Sequence, residues 1–280
     1  MLLILCGGLK NEAKNIRKPD EILKAIDKIA ETEIAGWCKA QGMHYPPDAA
    51  LLRIFKKEKE LEIWAKNDTM KTMKLVKVLS ICAMDFEPGP KLKVMDAKTP
   101  EGFYHPEFGY ESTNWWMWID LNTINEQGQT GKGSCFKMCI EYPNKLDILR
   151  TREAGFSKPG SSICIHGNCV SIGCASLVNK DFMAVFAFSR HHNPAKYGKL
   201  QVHIFPFRFD KVTDWAVEAK RFIHIKQFPE ENLLRFWTNL KEGFDLFNQI
   251  QNPLDITSGK VLIKSNGKTI KIHKYLFHPH

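Results

Sequence analysis

The chain has 280 residues, of which 44% are hydrophobic and 25% are charged, and its formal net charge is +9. This composition is ordinary for a soluble globular protein and excludes the collagen-like, fibrous and disordered classes. No apolar run approaches the roughly 18 residues that a membrane-spanning helix needs. The positive charge permits an anionic partner. However, the lysines alternate with glutamates, as in the segment from Lys56 to Glu60, so we expect a solvated basic surface and no nucleic-acid partner.

The first residues, Met1 to Cys6, are apolar but too few to form the hydrophobic core of a signal peptide. Two interpretations stay open. The segment is either a buried first element of a cytosolic protein or the remnant of a longer export signal. Lipid attachment at Cys6 is a third alternative, but Leu5 before it is a poor fit.

In chain order, residues 10–44 have the apolar spacing of helices, and Pro19 with Asp20 is a suitable helix start. Two apolar segments around a charged turn then predict a β-hairpin, residues 52–55 and 61–65. Further predicted strands are 75–81, 103–104, the aromatic stretch 115–119, 162–166 and 200–205. A glycine-rich loop occupies 128–133. The later predicted elements are helices at 179–189 and 230–250 and a terminal hairpin at 261–272.

These elements predict an α+β protein with three parts. Residues 1–50 form a helical N-terminal region, residues 51–210 a mainly β catalytic domain, and residues 211–280 a helical extension that ends in a hairpin. We find no internal repeat and no low-complexity linker.

Half of the eight cysteines lie in or close to one region, which directs attention to residues 160–175. There, Gly173 permits a tight backbone turn directly before Cys174, so that nearby amide hydrogens can point at an incoming carbonyl oxygen. A thiol becomes a useful nucleophile when an imidazole takes its proton, and His166 precedes Cys174 by eight residues. The pattern therefore predicts a nucleophilic cysteine with a histidine base.

Other readings of the same residues stay open. Cys164 lies between two isoleucines and is expected in the core, and Cys169 is expected to pack beneath the loop. A disulfide between Cys169 and Cys174 and a zinc site that includes Cys164 and His166 are alternatives. The leading hypothesis needs no metal and no cofactor. It also predicts that an imidazolium and backbone amides lower the pKa of Cys174 below the free-thiol value of about 8.5.

The string from Ile165 to Cys174, IHGNCVSIGC, resembles the active-site motif of YafK-type murein L,D-transpeptidase-like proteins, whose catalytic domain has the YkuD fold. The likeness extends in order over roughly residues 50–250. It includes segments 52–56, 61–64, 89–92, 99–104, 202–208 and 236–244. The broader YkuD family has a histidine before the glycine-cysteine pair and an arginine after it. This chain has Ile172 and the pair Ala175-Ser176 instead.

The resemblance implies acyl transfer on the peptide stems of peptidoglycan in the periplasm or cell envelope. Cys174 would form a thioester, with His166 as its base and the carbonyl of Gly167 as the group that orients the imidazole. Amides near Gly173 would hold the oxyanion, and Ser171 would support the turn.

Two further residues, His203 and Arg208, are candidates for binding a substrate carboxylate, and a structural role beside a strand is the alternative for both. The alternatives are an L,D-carboxypeptidase, a hydrolase that releases a wall-linked lipoprotein, and a non-enzymatic wall-binding module.

Overall fold

The fold is known from a computed structural model, which describes residues 24, 26–28, 30–110, 136–167, 169–222, 228–257, 260–265 and 268–271. The predictions for residues 1–6, for the helix start at Pro19 and Asp20, for residues 115–119 and 128–133, and for the turn of the terminal hairpin lie outside these ranges. Among the described helices, none combines the length and the apolar composition that crossing a membrane requires.

The strands that the structure describes are numbered in chain order: β1 Ala49–Phe55, β2 Glu60–Lys66, β3 Lys74–Ser80, β4 Gly102–Tyr104, β5 Pro106–Tyr110, β6 Phe136–Ile140, β7 Cys164–His166, β8 Ala175–Ser176, β9 Gln201–Phe205, β10 Asp255–Thr257, β11 Lys260–Ser265 and β12 Lys268–Lys271. A π-helical turn at Ala30–Ile34 leads into the first α-helix. The helices are α1 Ala35–Ala40, α2 Lys145–Glu153, α3 Asn179–Arg190, α4 Pro194–Tyr197, α5 Trp215–Phe222 and α6 Glu230–Ile250.

The central sheet has five strands in the order β3-β2-β1-β9-β4. Strands β1 and β9 are parallel, and the other neighbours are antiparallel. All seven residues of β1 are buried, because both faces of this sheet are covered. Leu52 and Ile54 join the apolar cluster that contains α3, whereas Leu51 and Phe55 join the cluster beneath α6.

A second sheet has four strands in the order β5-β6-β7-β8, and its β7–β8 pair is parallel. Ile165 of β7 and Ala175 of β8 are buried in the same cluster as the inner residues of the central sheet. Helix α3 follows β8 directly and contributes Phe182 and Phe186 to that cluster. The sheet therefore holds the segment from His166 to Cys174 against a fixed apolar layer.

The predicted α+β class is confirmed. The first hairpin is present as β1 and β2, and helix α6 has the predicted bounds. The terminal hairpin is present as β11 paired with β12, to which β10 adds a third strand. Helix α2 and strands β5 and β6 were not predicted. The domain boundaries at 50 and 210 stay a prediction, and α6 packs its Phe244 against Phe55 and Phe205 of the central sheet.

Candidate active site

The candidate site lies where β7 and β8 run side by side. Their register places Ile165 opposite Ala175, so Cys174 falls one step earlier, opposite Cys164. Side chains alternate between the two faces of a sheet along a strand. Ile165 and Ala175 point into the buried face, so the residues before and after each of them point to the opposite face. Cys174 and His166 therefore lie on one face, displaced from each other by two residues along the strand direction.

Cys174 is a free, partly exposed thiol. Its sulfur accepts a hydrogen bond from the backbone N–H of Cys164 at 3.4 Å. The carbonyl oxygen of Ser162 lies 3.7 Å from the same sulfur and accepts the thiol hydrogen. Cys164 is the first residue of β7 and Ser162 precedes that strand, so the start of β7 fixes the direction of the thiol.

Burial raises the pKa of the Cys174 thiol above its ordinary value. The N–H of Cys164 and the positive charge of Lys91 act in the opposite direction but are weaker. The expectation of a lowered pKa is therefore wrong for this arrangement. Since the sulfur has no contact with an imidazolium among its described partners, desolvation of the thiolate dominates. The resting site holds a neutral thiol.

His166 is oriented by its own chain. Its Nδ1 lies 2.6 Å from the carbonyl oxygen of Gly167, and a carbonyl only accepts, so we assign the proton to Nδ1. The neutral ring then carries its lone pair on Nε2, the nitrogen that a base needs. Burial lowers the pKa of His166, and the hydrogen bond to Gly167 partly offsets that effect. The structure thus places the Gly167 carbonyl where an orienting group is expected.

A tight turn delivers Cys174 to this face. The hydroxyl of Ser171 donates to the carbonyl of Cys174 at 2.6 Å and accepts from the N–H of Gly173 at 2.9 Å. Gly173 has a φ of +130°, and a Cβ there would lie 2.8 Å from the carbonyl oxygen of Lys98. Only glycine therefore fits this position. Because the N–H of Gly173 is engaged, the N–H of Cys174, which has no partner among the described residues, remains as the amide donor of the turn.

Two disulfides flank the site, and they correct the expectations for its neighbouring cysteines. Cys164 is bonded to Cys139, and Cys169 is bonded to Cys82. Cys164 is therefore not a buried free thiol, and Cys169 is an exposed half of a disulfide and does not pack beneath the loop. The sulfurs of Cys164 and Cys169 are not free to bind zinc, and Cys169 does not pair with Cys174.

Two residues that support the loop were not predicted. A Cβ on Gly167 would lie 2.1 Å from Oδ1 of Asn179, the first residue of α3, so the loop rests directly on that helix. The hydroxyl of Ser176 donates to the Gly167 carbonyl at 2.8 Å. Ser176 stands two residues after Cys174. In a strand this spacing puts both side chains on the same face, so the sequence could have indicated that Ser176 lies beside the site.

The structure does not bring His203 or Arg208 to this face. His203 has no exposed surface and contacts Phe103 and Phe247 on the α6 side of the central sheet. Arg208 is held by Glu60 and by Glu62, the latter at 2.7 Å. Neither side chain is placed to bind a carboxylate beside Cys174.

The arrangement has the parts of covalent acyl chemistry. It presents the free thiol of Cys174 and, on the same strand face, His166. Among the residues that the structure describes, neither Nε2 of His166 nor the N–H of Cys174 has a hydrogen-bond partner. A thiol, an imidazole and an amide donor in this arrangement suit a carbonyl substrate that reacts through an acyl-enzyme intermediate.

No model of a known protein family matches the chain. Direct comparison finds similarity to the "Putative L,D-transpeptidase YafK" of Escherichia coli strain K12. The two chains are 28% identical over 214 residues, which cover 76% of this chain and 72% of that protein. The protein of the same name from Escherichia coli O157:H7 gives the same values. The resemblance to YafK-type proteins is therefore confirmed.

Comparison with solved structures finds two bacterial proteins. Bd1075 of Bdellovibrio bacteriovorus is 17% identical, with a TM-score of 0.35 and coverage of 79% of this chain and 78% of that one. The helical cell shape determining protein Pgp2 of Campylobacter jejuni is 14% identical, with a TM-score of 0.35 and coverage of 81% and 86%. Both superpositions are loose.

Proposed function

We propose that the chain is a cysteine-dependent acyltransferase that acts on the peptide stems of peptidoglycan. The observation that carries this proposal is the shared face of Cys174 and His166, with Nδ1 of His166 held by the Gly167 carbonyl. The similarity to a protein named as an L,D-transpeptidase supports the substrate class.

In this mechanism Nε2 of His166 takes the proton of Cys174, and the thiolate attacks the carbonyl carbon of the third stem residue. The backbone N–H of Cys174 stabilises the oxyanion. The imidazolium then returns its proton to the departing amine of the fourth residue, which leaves a thioester on Cys174. An incoming amine completes transpeptidation. Water instead of the amine gives the carboxypeptidase reaction.

The neutral resting pair fits this sequence of steps. A raised thiol pKa and a lowered imidazole pKa keep both groups uncharged before substrate arrives. Proton transfer then accompanies the attack, when the substrate displaces water and brings the carbonyl to the sulfur. The base operates by taking the proton in that step and not by maintaining a standing thiolate.

We also propose that the protein works in the periplasm or cell envelope, where its substrate lies. The disulfides Cys82–Cys169 and Cys139–Cys164 favour an oxidising compartment over the reducing cytosol. Cell fractionation, followed by measurement of the disulfide state of the protein in each fraction, would check this. An exclusively cytosolic, fully reduced protein would contradict it.

The activity is tested by incubating the protein with disaccharide tetrapeptides and separating the products by mass. Transpeptidation gives a cross-linked dimer or an exchanged fourth residue, whereas hydrolysis gives the tripeptide. The Cys174→Ala variant is the control and should give neither product. Substrate that returns unchanged from both proteins, while it binds to them, would favour a wall-binding module.

A further inference from the structure

One carbonyl oxygen near Cys174 is shared by two side chains. The Gly167 oxygen accepts from Nδ1 of His166 at 2.6 Å and from Oγ of Ser176 at 2.8 Å. The hydroxyl oxygen also lies 3.5 Å from Nδ1 of His166. The three groups form a small triangle in which the carbonyl is the common acceptor.

Ser176 is itself tightly fixed. It has no exposed surface and pairs on one side with His166 through β7. On its other side it exchanges backbone hydrogen bonds with the segment that follows β3. Its N–H donates to the carbonyl of Ala83 at 2.8 Å, and its carbonyl accepts from the N–H of Cys82 at 2.9 Å. A backbone held on both edges gives the hydroxyl a defined direction.

Gly167, in contrast, is the first residue of the loop that leads to Cys174. A glycine peptide rotates more freely than others, so its carbonyl direction needs an external support. We infer that Ser176 is a positioning residue for His166. It acts through the Gly167 carbonyl and keeps Nδ1 protonated and Nε2 free. This inference rests on the proposed role of His166 as the base.

The hydroxyl has a second use that must be separated from this one. A buried hydroxyl without a partner costs stability, and the Gly167 carbonyl satisfies it. If Ser176 were purely structural, its replacement would affect the fold, and any effect on the chemistry of Cys174 would be the same with and without His166. The two roles are distinguished by whether the effect of Ser176 on the reaction rate of Cys174 requires the imidazole of His166.

A double-mutant cycle on the acylation of Cys174 tests the inference. The rate at which a tetrapeptide stem acylates Cys174 at neutral pH is measured by intact mass for the full chain, Ser176→Ala, His166→Ala and the double variant. We expect Ser176→Ala to slow acylation roughly tenfold, below the ~100-fold that a misplacement of 1 Å costs. In the His166→Ala background the same change should have no further effect.

The isosteric pair Ser176→Thr and Ser176→Val provides a matched control for packing, because both add a methyl group and only threonine keeps the hydroxyl. Threonine should react at nearly the wild-type rate, and valine as slowly as alanine. In stem-peptide turnover, Ser176→Ala should lower kcat with KM unchanged.

Three results would overturn the inference. These are equal rates for threonine and valine, an undiminished effect of Ser176→Ala without His166, and no effect of Ser176→Ala at all. If His166→Ala itself leaves acylation unchanged, the proposed base fails and the inference fails with it. If only His166 matters, the proposed function stands and Ser176 is structural.

Discussion

The backbone N–H of Cys164 points at the sulfur of Cys174 across 3.4 Å. This contact joins the disulfide-bonded strand β7 to the free thiol, and it fixes the sulfur of Cys174 on the face that His166 shares. A single weak donor does not offset the desolvation of a thiolate, so the pKa of Cys174 is raised.

The pH dependence of alkylation follows from that raised pKa. Because only the thiolate reacts, the alkylation rate of Cys174 should climb about tenfold per pH unit through neutral pH. It should level off only above the free-thiol value of about 8.5. Peptide mapping after brief labelling measures this rate separately for each cysteine. A plateau that already exists at mildly acidic pH would reveal a standing thiolate–imidazolium pair and contradict the neutral resting state.

Replacing the base gives the second prediction. His166→Ala should lower turnover of stem peptides by about 10²–10⁴-fold, the usual contribution of general acid–base catalysis. His44→Ala is the matched control, because His44 also pairs Nδ1 with a backbone carbonyl, that of Pro46, but is exposed. The control should keep wild-type turnover. If His166→Ala keeps most of the activity and only lowers the melting temperature, His166 is structural.

The disulfide Cys82–Cys169 ties the loop before Cys174 to the segment after β3, and it closes a long loop with a sequence separation of 87 residues. Replacing both cysteines with alanine should lower the free energy of unfolding by about 2–4 kcal/mol. Turnover should fall only partly, since Cys169 itself does no chemistry. Urea titration measures the change in stability.

A reducing agent supplies the control for this prediction. With the disulfides reduced, the wild-type protein and the double variant should unfold at similar urea concentrations. A difference that persists under reduction would show that the loss comes from packing and not from the cross-link.

Acid should destabilise the fold through His203. Burial, with Arg53 nearby, holds the pKa of His203 well below its ordinary value. The unfolded chain therefore binds the proton first, near its pKa of about 6.5. His203 thus contributes stability above that pH, and the contribution is lost as pH falls from about 6.5 toward the folded pKa, by about 1.4 kcal/mol for each pKa unit of depression.

His203→Gln should flatten the slope of unfolding free energy against pH in this range, measured by denaturant titration at several pH values. The slope should not vanish, because burial also lowers the pKa values of His166, His191 and His192. An unchanged slope for His203→Gln would mean that the buried imidazole is not the source.

Local patterns were enough to predict several elements. The first hairpin follows from two apolar runs around a charged turn, and α6 follows from its long apolar periodicity. Helix α2 had a usable signal as well. Asn144 and Asp147 form a capping box at its start, and the three-residue spacing of such a pair is readable in a sequence.

Tertiary pairing explains the misses. The partners of Cys164 and Cys169 lie 25 and 87 residues away, and no local spacing fixes such a choice among eight cysteines. The role of Ser176 depends on a parallel register that a sequence does not display. His203 was a candidate for binding a substrate carboxylate, but β9, which carries it, is central and buried on both faces.

The central claim is that Cys174 carries the acyl group. The most direct measurement is the intact mass of the protein after brief reaction with a tetrapeptide stem and acid quenching, followed by peptide mapping. We expect a tripeptide-stem adduct on Cys174 that hydroxylamine removes, as it removes a thioester, and no adduct on the Cys174→Ala variant. A stem adduct on another residue, or undiminished turnover by Cys174→Ala, would contradict the proposed mechanism.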